Sequence, residues 1–287
     1  MLTEKNQIEK QLKKVQAAMV DALKDTNLSN LGAGSKNLLG NGKMLRSRLV
    51  LSIGSAQAIN EPELIQAAAA VDMIHGASLL HDDVIDGGLL RRGAPTFWKK
   101  YGVNGAILFG DFLMFKALSL LVDVNRTDLL KELIDMTGSV CRSEVEQELI
   151  LRGTPGSWEE CEQGAGFKTG SLFAFAAVAG GTNAAGQTDA LREAGYILGT
   201  AYQLADDILD ASGNEALSGK TLGKDFERGK TTALTATKNA PEQPIEYIYA
   251  LLETSSAQLA PWPELRAAWD AFLDATMKPI LSKHISA

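Results

Sequence analysis

Cysteine, net positive charge and long apolar runs are scarce in this sequence, and each scarcity excludes a class of protein. The two cysteines, Cys141 and Cys161, match neither a disulfide framework nor a zinc-ligand spacing, so we interpret them as small buried apolar residues. A formal charge of −7 without a basic face excludes nucleic acid as the main partner. The N-terminal segment lacks a signal-peptide apolar region, and no run of eighteen apolar residues occurs, so we expect no membrane span and a cytoplasmic protein.

The alternation of apolar and polar residues that is typical of strands is missing as well. Apolar residues instead recur at three- and four-residue spacings, which indicates amphipathic helices. The predicted helices cover residues 8–23, 44–59, 63–86, 97–124, 128–152, 157–179 and 188–211, with two or three more after residue 240. Segments 28–41 and 212–230 are predicted to be irregular. We predict an all-α fold, with one domain over residues 1–287 and long helices around a central apolar cavity.

Two short acidic motifs of the form Asp-Asp-x-x-Asp are present. They consist of Asp82, Asp83 and Asp86, and of Asp206, Asp207 and Asp210. On a helix the first and third aspartates of each motif share a face, where like charges repel unless a cation lies between them. Hard oxygen ligands so arranged favour Mg²⁺, which is commonly shared between carboxylates and the phosphates of a substrate. A solvated acidic face explains one copy well, but we estimate that two chance copies occur in only about one of five hundred such sequences.

Basic residues cluster in short segments near these motifs. They are Lys43 and Arg46, Arg91 and Arg92, Lys168, and Lys220 and Lys230. Arginine and lysine beside glycine are typical of phosphate sites, because the backbone N–H groups can also approach the anion. Each segment alone is explained by surface cations on loops, whereas together with two acidic motifs they favour a diphosphate ligand. The apolar segments between them, and the lack of nucleotide-binding glycine fingerprints, favour a hydrocarbon diphosphate over a nucleotide.

The order of these motifs resembles that of the trans-type polyprenyl diphosphate synthases, a family with the isoprenoid synthase fold. The similarity runs from about residue 42 to residue 232, some two-thirds of the chain. Gly42-Lys43-x-x-Arg46 resembles the family's isopentenyl-diphosphate motif, and His75 occupies the family's histidine position before the first aspartate. The acidic motifs, the paired arginines, Lys168-Thr169-Gly170 and Tyr202-Gln203 follow in the family's order.

The resemblance implies a magnesium-dependent prenyltransferase that joins isopentenyl diphosphate to an allylic diphosphate and works as a homodimer. The implied metal ligands are the six aspartates of the two motifs. The implied catalytic residues are Asp82, Asp86, Lys168, Thr169, Gln203 and Asp206. The implied substrate-binding residues are Lys43, Arg46, His75, Arg91, Arg92, Lys168, Lys220 and Lys230. In this mechanism the Thr169 and Gln203 dipoles shelter an allylic cation from water, and no protein nucleophile is required.

Two small residues before the first motif bear on product length. Ala77 and Ser78 lie about 6–8 Å nearer the N-terminus of the helix than the first aspartate. In the family, bulky aromatic residues there block the growing tail and give farnesyl products, so Ala77 and Ser78 predict a longer product. Ile74, Met114 and Phe115 are candidates for the end of the cavity, and geranylgeranyl and longer chains both fit.

Departures from the family pattern leave alternatives to weigh. Ser47-Arg48 stands where Arg-Pro is usual, and Gly87-Gly88 stands where an acid or serine often occurs. A non-catalytic subunit of a heteromeric synthase would be expected to have lost aspartates, and a class I terpene cyclase normally carries an Asn/Ser/Glu second motif. A purely structural helix bundle leaves the clustered cations unexplained.

Overall fold

The computed structural model describes residues 2–24, 26–28, 42–151, 156–212 and 240–285. The chain divides into two compact units. The first contains Met1–Leu89, Pro95–Ile134 and Phe175–Thr188, and the second contains Leu90–Ala94, Asp135–Ala174 and Asp189–Ala287. The single domain predicted from the sequence stays a prediction.

Helices account for nearly all of the regular structure in the described residues. They are α1 Leu2–Asp21, α2 Leu45–Ala56, α3 Glu61–Ile85, α4 Phe97–Asp123, α5 Thr127–Leu149, α6 Trp158–Ala165, α7 Ser171–Gly180, α8 Gln187–Ser212, α9 Pro244–Ala257, α10 Pro263–Phe272 and α11 Lys278–Ile285. Gly166–Gly170 and Leu273–Met277 are π-helical, and β1 Leu90–Arg91 pairs with β2 Ala94–Pro95. The all-α prediction is confirmed. The predicted helix bounds hold to within a few residues with two exceptions: the first helix begins six residues earlier than predicted, and residues 157–179 form three segments. Residues 29–41 and 213–230, predicted to be irregular, lie outside the described residues.

Helix α3 forms the centre of the first unit, where it packs against α1, α2 and α4. Its four consecutive alanines at 67–70 are fully or almost fully buried, as are Leu64, Met73 and Leu80. A helix that is apolar on most of its faces is stable only when other helices cover it, and the small alanine side chains let those helices approach closely. The buried position of α3 fixes where its C-terminal end, with the first acidic motif, emerges.

Helix α4 is the most apolar long helix in the described part of the chain. By length and composition alone it could cross a membrane, and 39% of its most apolar window is buried. The helix contains no uninterrupted run of eighteen apolar residues, because Asp111 and Lys116 lie inside the apolar stretch. Core helices of soluble proteins meet the same criterion, and α4 packs along α3.

In the second unit, α8 lies close to the π-helical turn Gly166–Gly170 and to the start of α7. A Cβ atom added at Gly199 would lie 2.6 Å from the Cα atom of Gly170, so these backbones touch. Further along the chain, the indole Nε1 of Trp269 donates to Ser255 Oγ at 3.1 Å and ties α10 to α9. The close packing of α8 positions the second acidic motif, which occupies its C-terminal half.

Candidate active site

The first acidic motif occupies the last turn of α3. Asp86 is the C-cap, and its N–H donates to the carbonyl oxygen of Asp82 at 2.7 Å. Gly87 has a φ of 61°, and the N–H of Gly88 donates to the carbonyl oxygen of Asp83 at 3.0 Å, which completes a Schellman motif. The helix predicted over residues 63–86 therefore ends close to its predicted C-terminus, at the two glycines. No basic residue lies in this last turn, so the negative end of the helix dipole adds to the charge of the aspartates.

The three aspartates of the first motif differ in exposure. Asp82 and Asp86 are half-buried, whereas Asp83 is only 5% exposed. The Asp83 carboxylate lies beside Gly88, where an added Cβ would be 3.3 Å from its Oδ1 atom. Asp82 and Asp86 are therefore the members of this motif whose carboxylates are placed to meet a ligand from solvent.

The turn after the first motif is held by two side chains that the sequence analysis did not identify. Thr96 Oγ1 and Trp98 Nε1 both donate to the carbonyl oxygen of Gly88, each at 2.8 Å. The position of Thr96 just before α4 was the available signal, because threonine is a preferred residue at helix starts. These bonds fix the chain that leads from the acidic motif to the paired arginines.

His81, next to Asp82, anchors the end of α3 against α4. Its Nε2 atom lies 3.2 Å from the carbonyl oxygen of Ile107 and 3.3 Å from Asp111 Oδ1. Gly110 makes this contact possible, because a Cβ atom there would overlap the imidazole ring. Sequence reasoning assigned no role to His81, since its partners lie on a different helix.

The paired arginines lie at a tight hairpin. Arg91 ends β1, and Arg92 and Gly93 form the two-residue loop, with φ values of 53° and 73°. Positive φ at both positions is the pattern of a type I′ turn, which glycine and asparagine adopt far more readily than arginine. Arg92 is exposed on this strained loop. Strain of this kind is found disproportionately at binding sites.

The second acidic motif is connected to Thr169 and Gln203 by hydrogen bonds within the second unit. Thr169 Oγ1 donates to Gln203 Oε1 at 2.6 Å, and Gln203 Nε2 donates to Asp207 Oδ1 at 2.8 Å. Because the Thr169 proton is used in this bond, the remaining lone pairs of Thr169 Oγ1 and Gln203 Oε1 are the negative ends that a cation would meet. The structure thus brings together three residues that the sequence assigned to one site.

The π-helical turn explains how Thr169 reaches Gln203. Lys168 and Thr169 lie inside Gly166–Gly170, which widens the helix by one residue. Single π-turns inside helices occur frequently at functional sites. Glycines at both ends of the turn let it approach α8, because Cβ atoms at Gly166 or Gly170 would collide with Tyr196. Lys168 is directed to α5, where its Nζ atom lies 2.8 Å from Glu144 Oε1.

The pKa of the Cys161 thiol is raised by its surroundings near the second acidic motif. Burial and, to a lesser extent, the negative charges of Asp207 and Glu160 raise the pKa of the Cys161 thiol to about 11. The prediction that Cys161 is buried is confirmed, whereas Cys141 is exposed and that part of the prediction is wrong. Cys141 lies on an outward-facing position of α5, a helix that buries little of its surface.

The remaining predicted substrate residues are placed as follows. Lys43 is exposed just before α2, Arg46 is buried in its first turn, and His75 is half-buried on α3. Ala77 is fully buried on α3, and Ser78 is half-buried, with its Oγ atom donating to the carbonyl oxygen of His75. Lys220, Lys230 and the side chain of Asp210 lie outside the described residues.

The fit to a metal rests on the donor types in each motif. In the part of the chain that the structure describes, no group of three or more His, Cys, Asp or Glu side chains could hold a metal ion. The first motif offers the carboxylates of Asp82 and Asp86 one turn apart near the negative end of a helix, and Asp206 and Asp207 lie on the C-terminal half of α8. A hard divalent cation that completes its coordination with water and phosphate oxygens fits such carboxylates.

Comparison with known proteins identifies the family of this chain. A family model described as polyprenyl synthetase matches residues 30–260. The chain belongs to the polyprenyl synthetase family. It is 36% identical over 198 residues to the octaprenyl diphosphate synthase of Haemophilus influenzae, a segment that covers 67% of this chain but only 60% of that enzyme. It is 30% identical over 246 residues to the geranylgeranyl diphosphate synthase of Methanosarcina mazei, which covers 82% of this chain and 75% of that enzyme.

Solved structures agree on the fold of this family member. The polyprenyl synthase of Caulobacter crescentus, solved in complex with calcium and isoprenyl diphosphate, superimposes with a TM-score of 0.83 at 26% identity. That match covers 98% of this chain and 96% of the other. The all-α isoprenoid synthase fold predicted from the sequence is therefore confirmed.

Proposed function

We propose that this chain is a prenyltransferase that condenses isopentenyl diphosphate with an allylic diphosphate, head to tail, into a trans-polyprenyl diphosphate. The observation that carries the proposal is the hydrogen-bonded series from Thr169 through Gln203 to Asp207. It presents oxygen lone pairs next to a carboxylate of the second acidic motif. This is the arrangement needed to stabilise a carbocation beside the diphosphate that has just left it.

The two acidic motifs are proposed to bind Mg²⁺ through Asp82, Asp86 and Asp206. The metal would supply Lewis-acid stabilisation of the departing diphosphate. In this proposal Arg91 and Lys168 bind diphosphate oxygens. Thr169 and Gln203 orient their dipoles toward the allylic carbon. The similar Caulobacter enzyme was solved with calcium and isoprenyl diphosphate, which supports a divalent cation here.

In this structure Lys168 Nζ lies 2.8 Å from Glu144 Oε1. An incoming diphosphate carries more charge than one carboxylate and would compete for the ammonium group. Isopentenyl diphosphate is proposed to bind Lys43, Arg46, His75 and Arg92. A product longer than farnesyl is proposed from the small Ala77 and Ser78, with geranylgeranyl and longer products both compatible. Phe115 is 70% exposed and so does not by itself end a cavity inside this chain, whereas Ile74 is buried.

A homodimer is proposed from the outer face of α4. Leu108, Phe115 and Val122 recur every seven residues along one stripe and are 67%, 70% and 53% exposed. Large apolar side chains aligned in this way mark an interaction surface. A second copy of this chain would cover the stripe with an identical stripe about a two-fold axis, which is the commonest symmetry of homo-oligomers. The cytoplasmic location stays a prediction from the sequence.

The direct test is condensation of labelled isopentenyl diphosphate with each allylic primer in the presence of Mg²⁺. A labelled polyprenyl diphosphate supports the proposal, cyclic hydrocarbon made without isopentenyl diphosphate indicates a cyclase, and no turnover indicates a non-catalytic subunit. Asp206→Asn should reduce the rate at least about a hundredfold, since it removes one metal-binding charge. Asp189→Asn is the matched control, because Asp189 lies on the same helix with its side chain 84% exposed and should change little.

A further inference from the structure

Arg48 belongs to the Ser47-Arg48 pair that stands where Arg-Pro is usual in the family, and it contacts the predicted diphosphate motif directly. Its Nε atom donates to the backbone carbonyl oxygen of Lys43 at 3.0 Å. Its Nη1 atom donates to Glu9 Oε1 on α1 at 2.8 Å. One guanidinium group therefore joins the N-terminal helix to the peptide that follows Lys43. Arginine is suited to this position because its donors have a fixed planar geometry.

The backbone at this peptide is strained. Met44 has φ 46° and ψ 45°, a left-handed conformation that is unfavourable for a residue with a side chain. Such a conformation persists only where the surroundings impose it. Here the Arg48 bond fixes the carbonyl before Met44, and the buried Met44 side chain lies against α1, where Gln16 Nε2 donates to its sulfur at 3.6 Å.

The neighbouring departure, Ser47, makes a second attachment. Ser47 is completely buried, and its Oγ atom lies 2.5 Å from Asp72 Oδ2 and 3.1 Å from the carbonyl oxygen of Ala68. Asp72 is one turn before His75 on α3. Ser47 directly follows Arg46, so this bond attaches the first turn of α2 to the segment of α3 that carries the predicted histidine ligand.

We propose that Arg48, held by Glu9, is a positioning residue that sets the orientation of Lys43 and Arg46 for isopentenyl diphosphate. Through this clamp (Glu9, Arg48 and the Lys43 carbonyl) the N-terminal helix determines affinity for one of the two substrates. Ser47 fixes the other end of the same motif against α3. The inference rests on the proposed function, and it gives a role to the two residues at which this chain departs from its family's motif.

If Arg48 only held α1 in place, loss of another ion pair that docks α1 should change the kinetics in the same way. A second ion pair of this kind is present. Lys14 Nζ lies 2.6 Å from Glu61 Oε2 on α3, with both side chains about as exposed as Glu9. This pair does not touch the Lys43 segment. Lys14→Met is therefore the matched control, since it loosens α1 without altering the clamp.

The test compares wild type, Arg48→Lys, Glu9→Gln and Lys14→Met in steady-state kinetics with isopentenyl diphosphate and an allylic diphosphate varied separately. Arg48→Lys keeps the charge but lacks the separate Nε and Nη1 donors that reach Lys43 and Glu9, so the KM for isopentenyl diphosphate should rise roughly five- to tenfold. The KM for the allylic substrate and kcat should stay within about twofold of the wild-type values. Arg48 contacts neither the residues proposed to bind the allylic diphosphate nor those proposed to face the allylic cation. Glu9→Gln should give a smaller change of the same kind, since it leaves the Lys43 bond in place.

Thermal unfolding of all four proteins and calorimetric binding of isopentenyl diphosphate complete the experiment. Equal KM changes in Lys14→Met and Arg48→Lys, or an unchanged KM in Arg48→Lys at wild-type turnover, would overturn the clamp while leaving the proposed function intact. A wild-type protein that neither condenses nor binds isopentenyl diphosphate would instead overturn the proposed function, and the clamp with it.

Discussion

Replacement of Gly199 by alanine should separate α8 from the π-helical turn and reduce both stability and turnover. The added Cβ atom would lie 2.6 Å from the Cα atom and 2.9 Å from the amide nitrogen of Gly170. Both are backbone atoms, so no side chain can rotate to make room. The same two elements carry Thr169 and Gln203, whose hydrogen bond is 2.6 Å long.

The magnitude follows from these distances. Non-bonded carbon atoms prefer about 3.5–4.0 Å, so the two backbones must move apart by roughly 1 Å. A shift of that size would stretch the Thr169–Gln203 bond beyond the usual limit of about 3.0 Å for O–H···O bonds. Overpacking of this kind lowers the free energy of unfolding by about 1–3 kcal/mol. The condensation rate should fall about tenfold or more, since the dipoles proposed to face the allylic cation lose their orientation.

The assay pairs urea denaturation with the condensation rate at saturating substrate. Gly164→Ala is the control, because Gly164 lies inside α6 and an added Cβ would meet no atom within 4 Å. It should leave turnover unchanged and should stabilise the protein by up to about 1 kcal/mol, the difference in helix propensity. A Gly199→Ala protein with wild-type stability and turnover would refute the close packing of these backbones and the role of the Thr169–Gln203 pair.

Three further experiments test the chain-length residues, the strained hairpin and the burial of the cysteines. Ala77→Phe should shorten the product, and an unchanged chain length on chromatography would contradict a role for this position. Arg92→Asn should raise the free energy of unfolding by roughly 0.5–1 kcal/mol, because asparagine tolerates the positive φ, while weakening isopentenyl diphosphate binding about tenfold. At pH 8 a thiol reagent should label Cys141 first, because Cys141 is exposed, whereas Cys161 is buried and its pKa of about 11 leaves about one thiolate in a thousand. Partial burial and the charge of Glu144 also raise the pKa of Cys141, so its labelling should be slower than that of a free thiol. Labelling of Cys161 should increase as the pH rises toward 11 or on unfolding. Equally fast labelling of both cysteines in the folded protein at pH 8 would contradict the burial of Cys161.

The helices could be predicted because their signals are local. The apolar periodicity and alanine content of α3 place it within two residues of its observed start, and the glycine pair after Asp86 supplies the left-handed residue that a Schellman ending needs. The two acidic motifs lie on the helices that were predicted to carry them, near the C-terminal ends. Helical spacing alone sets which aspartates of a motif share a face. Such features depend on a few neighbouring residues.

The remaining features depend on contacts between distant segments. Residues 157–179 have the pattern of one continuous helix, whereas the structure contains a π-helical turn that packs against Tyr196 and Gly199. The Arg48 clamp needs Glu9 from another helix, and sequence alone marked Ser47-Arg48 only as a departure from a family pattern. The exposure of Phe115 likewise follows from which face of α4 packs on α3.

We propose that Asp82 and Asp86 in the first acidic motif, and Asp206 in the second, bind divalent cations that neutralise a diphosphate. A crystal structure of the protein grown with Mn²⁺ and pyrophosphate tests it most directly, because anomalous scattering locates each metal ion. Metal ions are expected about 2.0–2.3 Å from carboxylate oxygens of Asp82 and Asp86 and of Asp206, each with a pyrophosphate oxygen among its ligands. Metal at only one motif, or pyrophosphate bound away from both, would contradict it.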